Sequence, residues 1–102
     1  MKRVKILGYW YEINEELASD IIEAEGKVDT YAHVIYLAKD LCNEERMSAL
    51  FHEILEVVNK SFELELTHNK ITTLETALYQ IFLDNDFITC KDGIEIRQER
   101  KR

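Results

Sequence analysis

Apolar residues recur every three or four positions between Met47 and Phe62, at Met47, Leu50, Phe51, Ile54, Leu55, Val58 and Phe62. This is the buried stripe of an amphipathic helix. Asn43 stands ahead of it as an N-cap type, and Glu44 and Glu45 follow where the helix dipole favours anions, so the pattern predicts a helix over residues 43–62. After "ELELTHNK" a second stripe runs through Ile71, Leu74, Ala77, Leu78, Ile81 and Phe82. It predicts a helix over about 68–84, capped by Thr67 or Asn69 and stopped near "DND".

Elsewhere the period shortens. Val4 to Ile13 alternates loosely and is rich in β-branched and aromatic residues, which predicts a strand with Gly8 marking a bulge or a close backbone approach. "NEELASDIIEAEG" reads as a short helix or an irregular connection ended by Gly26. "KVDTYAHVIYLAKD" gives strands at Val28–Thr30 and His33–Leu37 around a turn. Val34 and Tyr36 then share one face, and His33, Ile35 and Leu37 the other. His33 on a sheet face reads as a hydrogen-bonded structural residue. "FITCKDGIEIR" forms two short β-rich runs around Asp92-Gly93, a hairpin signal. No repeat, proline or low-complexity linker divides the chain. The expected architecture is one α+β domain over residues 1–102: a small N-terminal sheet packed on two helices, with a C-terminal β-hairpin.

Charge narrows the function. Thirteen basic residues against twenty acidic ones give a net charge of −7, which argues against a general nucleic-acid binder because phosphate neutralisation needs a cationic surface. The basic clusters at the ends (Lys2, Arg3 and Lys5; Arg97, Arg100, Lys101 and Arg102) read as solvated termini. No apolar run approaches the roughly 18 residues of a membrane span, and "MKRVKILGYWYEIN" lacks the cleavage site of a signal peptide. A cytoplasmic protein is expected. Cys42 and Cys90 make no disulfide framework and read as small buried hydrophobes.

The first helix carries the chemistry. In "FHEILEVVN" the residues His52-Glu53 are followed by two aliphatics and then Glu56, where the H-E-x-x-H pattern of zinc peptidases has its second histidine. Positions i and i+4 lie one turn apart on one face, so His52 and Glu56 can grip one ion, and the intervening pattern assigns Glu53 as general base. A third ligand must come from another segment. His68 and Glu75 on the second helix are the candidates: they share a face, with Thr72 between them and Tyr79 beyond, as a polar stripe opposite the apolar one. His52, Glu56 and His68 together have the two-histidine, one-carboxylate composition of many catalytic zinc sites, with its members permuted. By residue type alone, an exposed glutamate on a helix and a histidine in a turn are equally ordinary surface features.

The stretch "MSALFHEILEVVNKSFELELTHNKITTLETALYQIFLDN" resembles short phage and prophage proteins related to the ImmA/IrrE-type metallopeptidases. Those carry a β-rich start, a helix with "LHEILHAIN", a short loop, and a second helix ending in something like "LYQVLKDN". Here "FHEILEVVN" (residues 51–59) and "LYQIFLDN" (residues 78–85) match in sequence and separation; "VKILGYWYEI" and "YLAKDL" are also similar. The resemblance covers most of the chain up to about Asn85 and leaves the final hairpin outside. It implies a zincin-like core, with His52 as first ligand, Glu53 as general base and Glu56 in the second histidine's place. The family's third ligand is usually acidic and lies in or just before the second helix, which leaves His68 and Glu75 both open.

A carboxylate in place of an imidazole lowers the nitrogen count and raises the negative charge. That moves preference from zinc towards harder cations, or leaves a site that fills weakly. The resemblance therefore implies a zincin-like phage or prophage protein in the host-cell cytoplasm that has lost catalysis. Its expected role is that of an accessory or interaction protein, its acidic surface suited to a basic phage or host protein. The alternative is an active metal-dependent peptidase with an H-E-x-x-E site and Glu53 as base. A plain α+β binding module ranks third.

Overall fold

A computed structural model describes residues 3–16, 26–89 and 95–96. The chain begins with a hairpin. Strand β1 (Arg3–Ile6) pairs antiparallel with β2 (Tyr9–Glu16) across a two-residue turn in which Leu7 (φ 52°) and Gly8 (φ 89°) are both left-handed. Two successive positive φ values match the twist of the flanking strands, as in the favoured two-residue hairpin loops. The single expected strand is thus two, and Gly8 is the corner between them. A Cβ on Gly8 would meet no atom within 4 Å, so close approach plays no part there.

Close approach occurs at Gly26 instead. This residue begins β3 (Gly26–Asp29), and a Cβ built on it would lie 2.9 Å from the Tyr36 carbonyl oxygen and 3.4 Å from a carboxylate oxygen of Glu53. Strand β3 returns through a turn in which Asp29 Oδ1 accepts the N–H groups of Tyr31 and Ala32, both at 2.9 Å. Such Asx contacts stand in for a backbone turn. His33 closes that turn at φ 58° instead of lying on the strand, and it stacks on Tyr11 with ring centroids 4.7 Å apart. Strand β4 (Val34–Ala38) then inserts between β3, antiparallel, and β2, parallel, giving the order β1-β2-β4-β3. Within "NEELASDIIEAEG", Asn14–Glu16 extend β2, and residues 17–25 lie outside the described residues.

The alternation does as expected on β4: Ile35 and Leu37 are fully buried, while Val34 and Tyr36 face the other way and are half-buried. With Ile6 and Tyr11 they receive the first helix, α1 (Asn43–Phe62), through Met47, Leu50 and Val57. Each fully buried aliphatic side chain contributes about 1.5–3 kcal/mol relative to exposure. Burial also raises the Tyr11 phenol above its ordinary titration range. The N-cap of α1 is Cys42 and not Asn43; Glu45 Oε1 accepts the Cys42 N–H at 3.3 Å. Cys42 is exposed, contrary to the expected buried hydrophobe, because the cap position lies outside the stripe. Cys90 lies outside the described residues.

Helix α2 (His68–Asp84) is capped by Thr67, whose hydroxyl accepts the Lys70 N–H at 3.2 Å. It packs chiefly on α1, which therefore lies between the sheet and α2. Phe51 meets Tyr79 and Phe82 edge-on, with centroids 5.9 and 5.3 Å away. Three of the stripe residues are misplaced by the sequence reading: Leu74 is 41% exposed and Ile81 49%, and Ala77 is exposed as well. Ile71, Leu78, Tyr79 and Phe82 point inward instead. Phe62, the last residue of α1, is also exposed. Beyond α2, β5 (Ile88–Thr89) pairs antiparallel with β6 (Glu95–Ile96), the expected hairpin, and Ile88 joins the main core. The architecture is α+β. No helix among the described residues is long and apolar enough to cross a membrane.

Candidate metal centre

Ser48, His52 and Glu56 follow one another at intervals of four along α1, so they line one face of that helix. The facing surface of α2 begins with His68 and continues through Ile71, Glu75 and Leu78. The polar stripe of α2 is therefore not opposite its packed face but part of it. One donor atom each from His52, Glu56 and His68 lies within 4.8 Å of the others. His52 Nε2 is 3.3 Å from Glu56 Oε2, and the His52 and His68 rings stand 5.1 Å apart at 55°. On its other side, His52 Nδ1 meets Glu75 Oε1 at 3.0 Å, and the Ser48 hydroxyl donates to the second Glu75 oxygen.

These contacts divide the two candidates for a third ligand. His68 joins the point where His52 and Glu56 converge. Glu75 occupies the opposite ring nitrogen, where a carboxylate fixes tautomer and orientation. In the tautomer whose Nδ1–H donates to Glu75, the Nε2 lone pair is directed at the Glu56 carboxylate. A neutral imidazole has only one N–H, so facing two carboxylates demands either a second proton or a cation at Nε2. The geometry suits a cation. Two donors about 2.1 Å from a tetrahedral ion are roughly 3.4 Å apart, close to the His52–Glu56 separation. His68 must close by about an ångström or a little more to complete the set, and as an exposed side chain on the first turn of α2 it has room to move. The two carboxylates that flank His52, Glu56 and Glu75, also favour a cation there.

Glu53 is elsewhere. It is only 6% exposed and turns towards the sheet, its Oε2 beside Gly26 of β3. One residue along a helix is a rotation of about 100°, which carries it from the α2-facing side to the sheet-facing side. Thr72 is exposed and belongs to neither group. Tyr79 packs on Phe51 rather than extending a polar stripe.

The sequence reading missed Ser48 and Asn59. The signal for Ser48 was present, since it precedes His52 by the same four residues that separate His52 from Glu56. Asn59 carried no such signal; its importance depends on a loop whose path the residue types do not reveal. Comparison with protein-family models, curated proteins and solved structures gives no match to this chain.

Proposed function

We propose that this chain is a catalytically degenerate, zincin-like accessory protein of phage or prophage origin that binds a divalent cation weakly through His52, Glu56 and His68. One observation carries the metal reading: His52 presents a carboxylate to each ring nitrogen, an arrangement that a cation at Nε2 completes. The phage origin and accessory role rest on the resemblance of "FHEILEVVN" and "LYQIFLDN" to their counterparts in the ImmA/IrrE-related proteins. The acidic surface, at net charge −7, suits a basic protein partner. Loss of catalysis follows from the ligand exchange and from Glu53, whose carboxylate is packed against β3.

A second reading has one observation in its favour. Glu53 is buried at the seam of α1 with β3, next in sequence to a ligand and shielded from bulk water. In a metal-dependent peptidase the ion would supply Lewis acidity, and Glu53 would have to turn from β3 towards the ion to hold the transferred proton.

Zinc titration of the wild-type chain and of Glu56→His in the same buffer separates these. One equivalent should bind the wild type with a dissociation constant above about 1 μM, and Glu56→His should tighten this by about tenfold or more, because imidazole matches zinc better and removes a negative charge from the empty site. Tight stoichiometric binding by the wild type, with peptide hydrolysis abolished by Glu53→Gln, would establish the peptidase instead. Binding by neither protein would remove the metal reading altogether.

A further inference from the structure

Resting on the metal-site reading above, we infer that Asn59 is a positioning residue that sets the third corner of the site by fixing where His68 arrives. Asn59 lies seven residues after His52, two helical turns along the same face of α1. Its side-chain amide grips one residue of the inter-helix loop through both its backbone groups: Oδ1 accepts the Leu66 N–H at 2.9 Å, and Nδ2 donates to the Leu66 carbonyl at 3.3 Å. Its own backbone carbonyl accepts the Leu64 N–H at 3.0 Å.

The loop needs such a hold. Glu63 (φ 53°) and Glu65 (φ 59°) both adopt the left-handed region that non-glycine residues disfavour, so local preference alone would open the elbow. Closing it brings Thr67 into place as the cap of α2, with His68 as the first helical residue. Because His68 is exposed, its backbone sets its place more than side-chain packing does. The tolerance is small. Donors that lie within 4.8 Å must draw in further to share an ion, so an elbow that relaxes by an ångström or two takes His68 out of reach.

A loop clamp that merely stabilises the fold predicts something different, and a double-mutant cycle distinguishes the two. Zinc is titrated into the full-length wild type, Asn59→Ala, His68→Ala and the double variant, with circular dichroism recording helix content for each. Asn59→Asp, which keeps the acceptor for the Leu66 N–H, serves as the conservative variant and carries the comparison if Asn59→Ala does not fold. Asn59→Ala should weaken zinc binding on the order of tenfold, Asn59→Asp should weaken it less, and the effect should vanish once His68 is alanine. Equal affinity of wild type and Asn59→Ala overturns the role of Asn59 while leaving the metal site standing. An equal loss in both His68 backgrounds overturns it as well, by showing general destabilisation. A wild type that binds no zinc overturns the metal site itself and this role with it.

Discussion

Two faces of α1 meet two neighbours on different terms. Towards the sheet it offers Met47, Leu50 and Val57 to Ile35 and Leu37, all at most 2% exposed. Towards α2 it offers Ser48 and His52, which bond Glu75, and Glu56, which with His52 converges on His68, with Phe51 and its aromatic partners along the flank. The first contact is non-directional and its strength scales with the area removed from water. The second depends on which atom faces which, over distances near 3 Å. One helix thus holds the fold with one face and the candidate chemistry with another. Damage to the first should cost stability, whereas damage to the second should cost ligand binding at nearly constant stability.

The largest expected effect is on the sheet side. Leu50 is completely buried, so Leu50→Ala removes apolar contacts and leaves a cavity that the sheet cannot collapse into fully. The expected loss is about 2–5 kcal/mol, a large share of the roughly 5–15 kcal/mol typical of a small domain. Chemical denaturation should show a lower midpoint with an unchanged slope. A loss below about 1 kcal/mol would mean that the two faces do not differ as described.

On the α2 side, Glu75→Gln keeps the size of the side chain and an acceptor for His52 Nδ1–H but removes the charge. It also weakens the partnership with the Ser48 hydroxyl. Changes to groups that orient a metal-binding histidine typically weaken metal affinity about 10–100-fold, and a zinc titration should show a loss in that range. Stability should change by less than about 1 kcal/mol, since the site is partly solvated. If Glu75→Gln unfolded the protein as readily as Leu50→Ala, the division between a structural and a chemical face would fail.

The sheet side was legible because its signals are local and periodic. Alternation placed Ile35 and Leu37 inward, and the stripe placed Met47 and Leu50, without knowledge of what they meet. The site was half legible: the i, i+4 spacing of His52 and Glu56 is set by helix geometry alone. The remainder depended on the elbow at Glu63–Thr67 and on the rotation of α2, neither of which residue type specifies. Gly8 and Gly26 show the same limit. Gly8 is the corner of a hairpin and Gly26 the first residue of a strand; one is required by a positive φ and the other by the Tyr36 carbonyl 2.9 Å from where its Cβ would lie. Only the pairing of strands distinguishes these roles.

The smallest expected effect sharpens the comparison most directly, because it asks which way α2 faces. By periodicity Leu74 belongs with Ile71 and Leu78 on an apolar stripe, and a glutamine there would be as damaging as one in the core. In the structure His68 and Glu75 take part in the packed face, and Leu74 is turned out to 41% exposure while Ile71 stays at 1%. Leucine and glutamine have similar helix propensities, so Leu74→Gln tests burial with little change in backbone preference. Its expected cost is about 0.5 kcal/mol, the range of ordinary surface substitutions, raised slightly by the apolar groove that Leu74 lines together with Leu66. Ile71→Gln in parallel should cost several times more, since it places an amide where no exposed surface remains. Denaturation midpoints of the two variants measure this. Equal losses would put Leu74 in the core, turn α2 about its axis, and carry His68 and Glu75 away from His52.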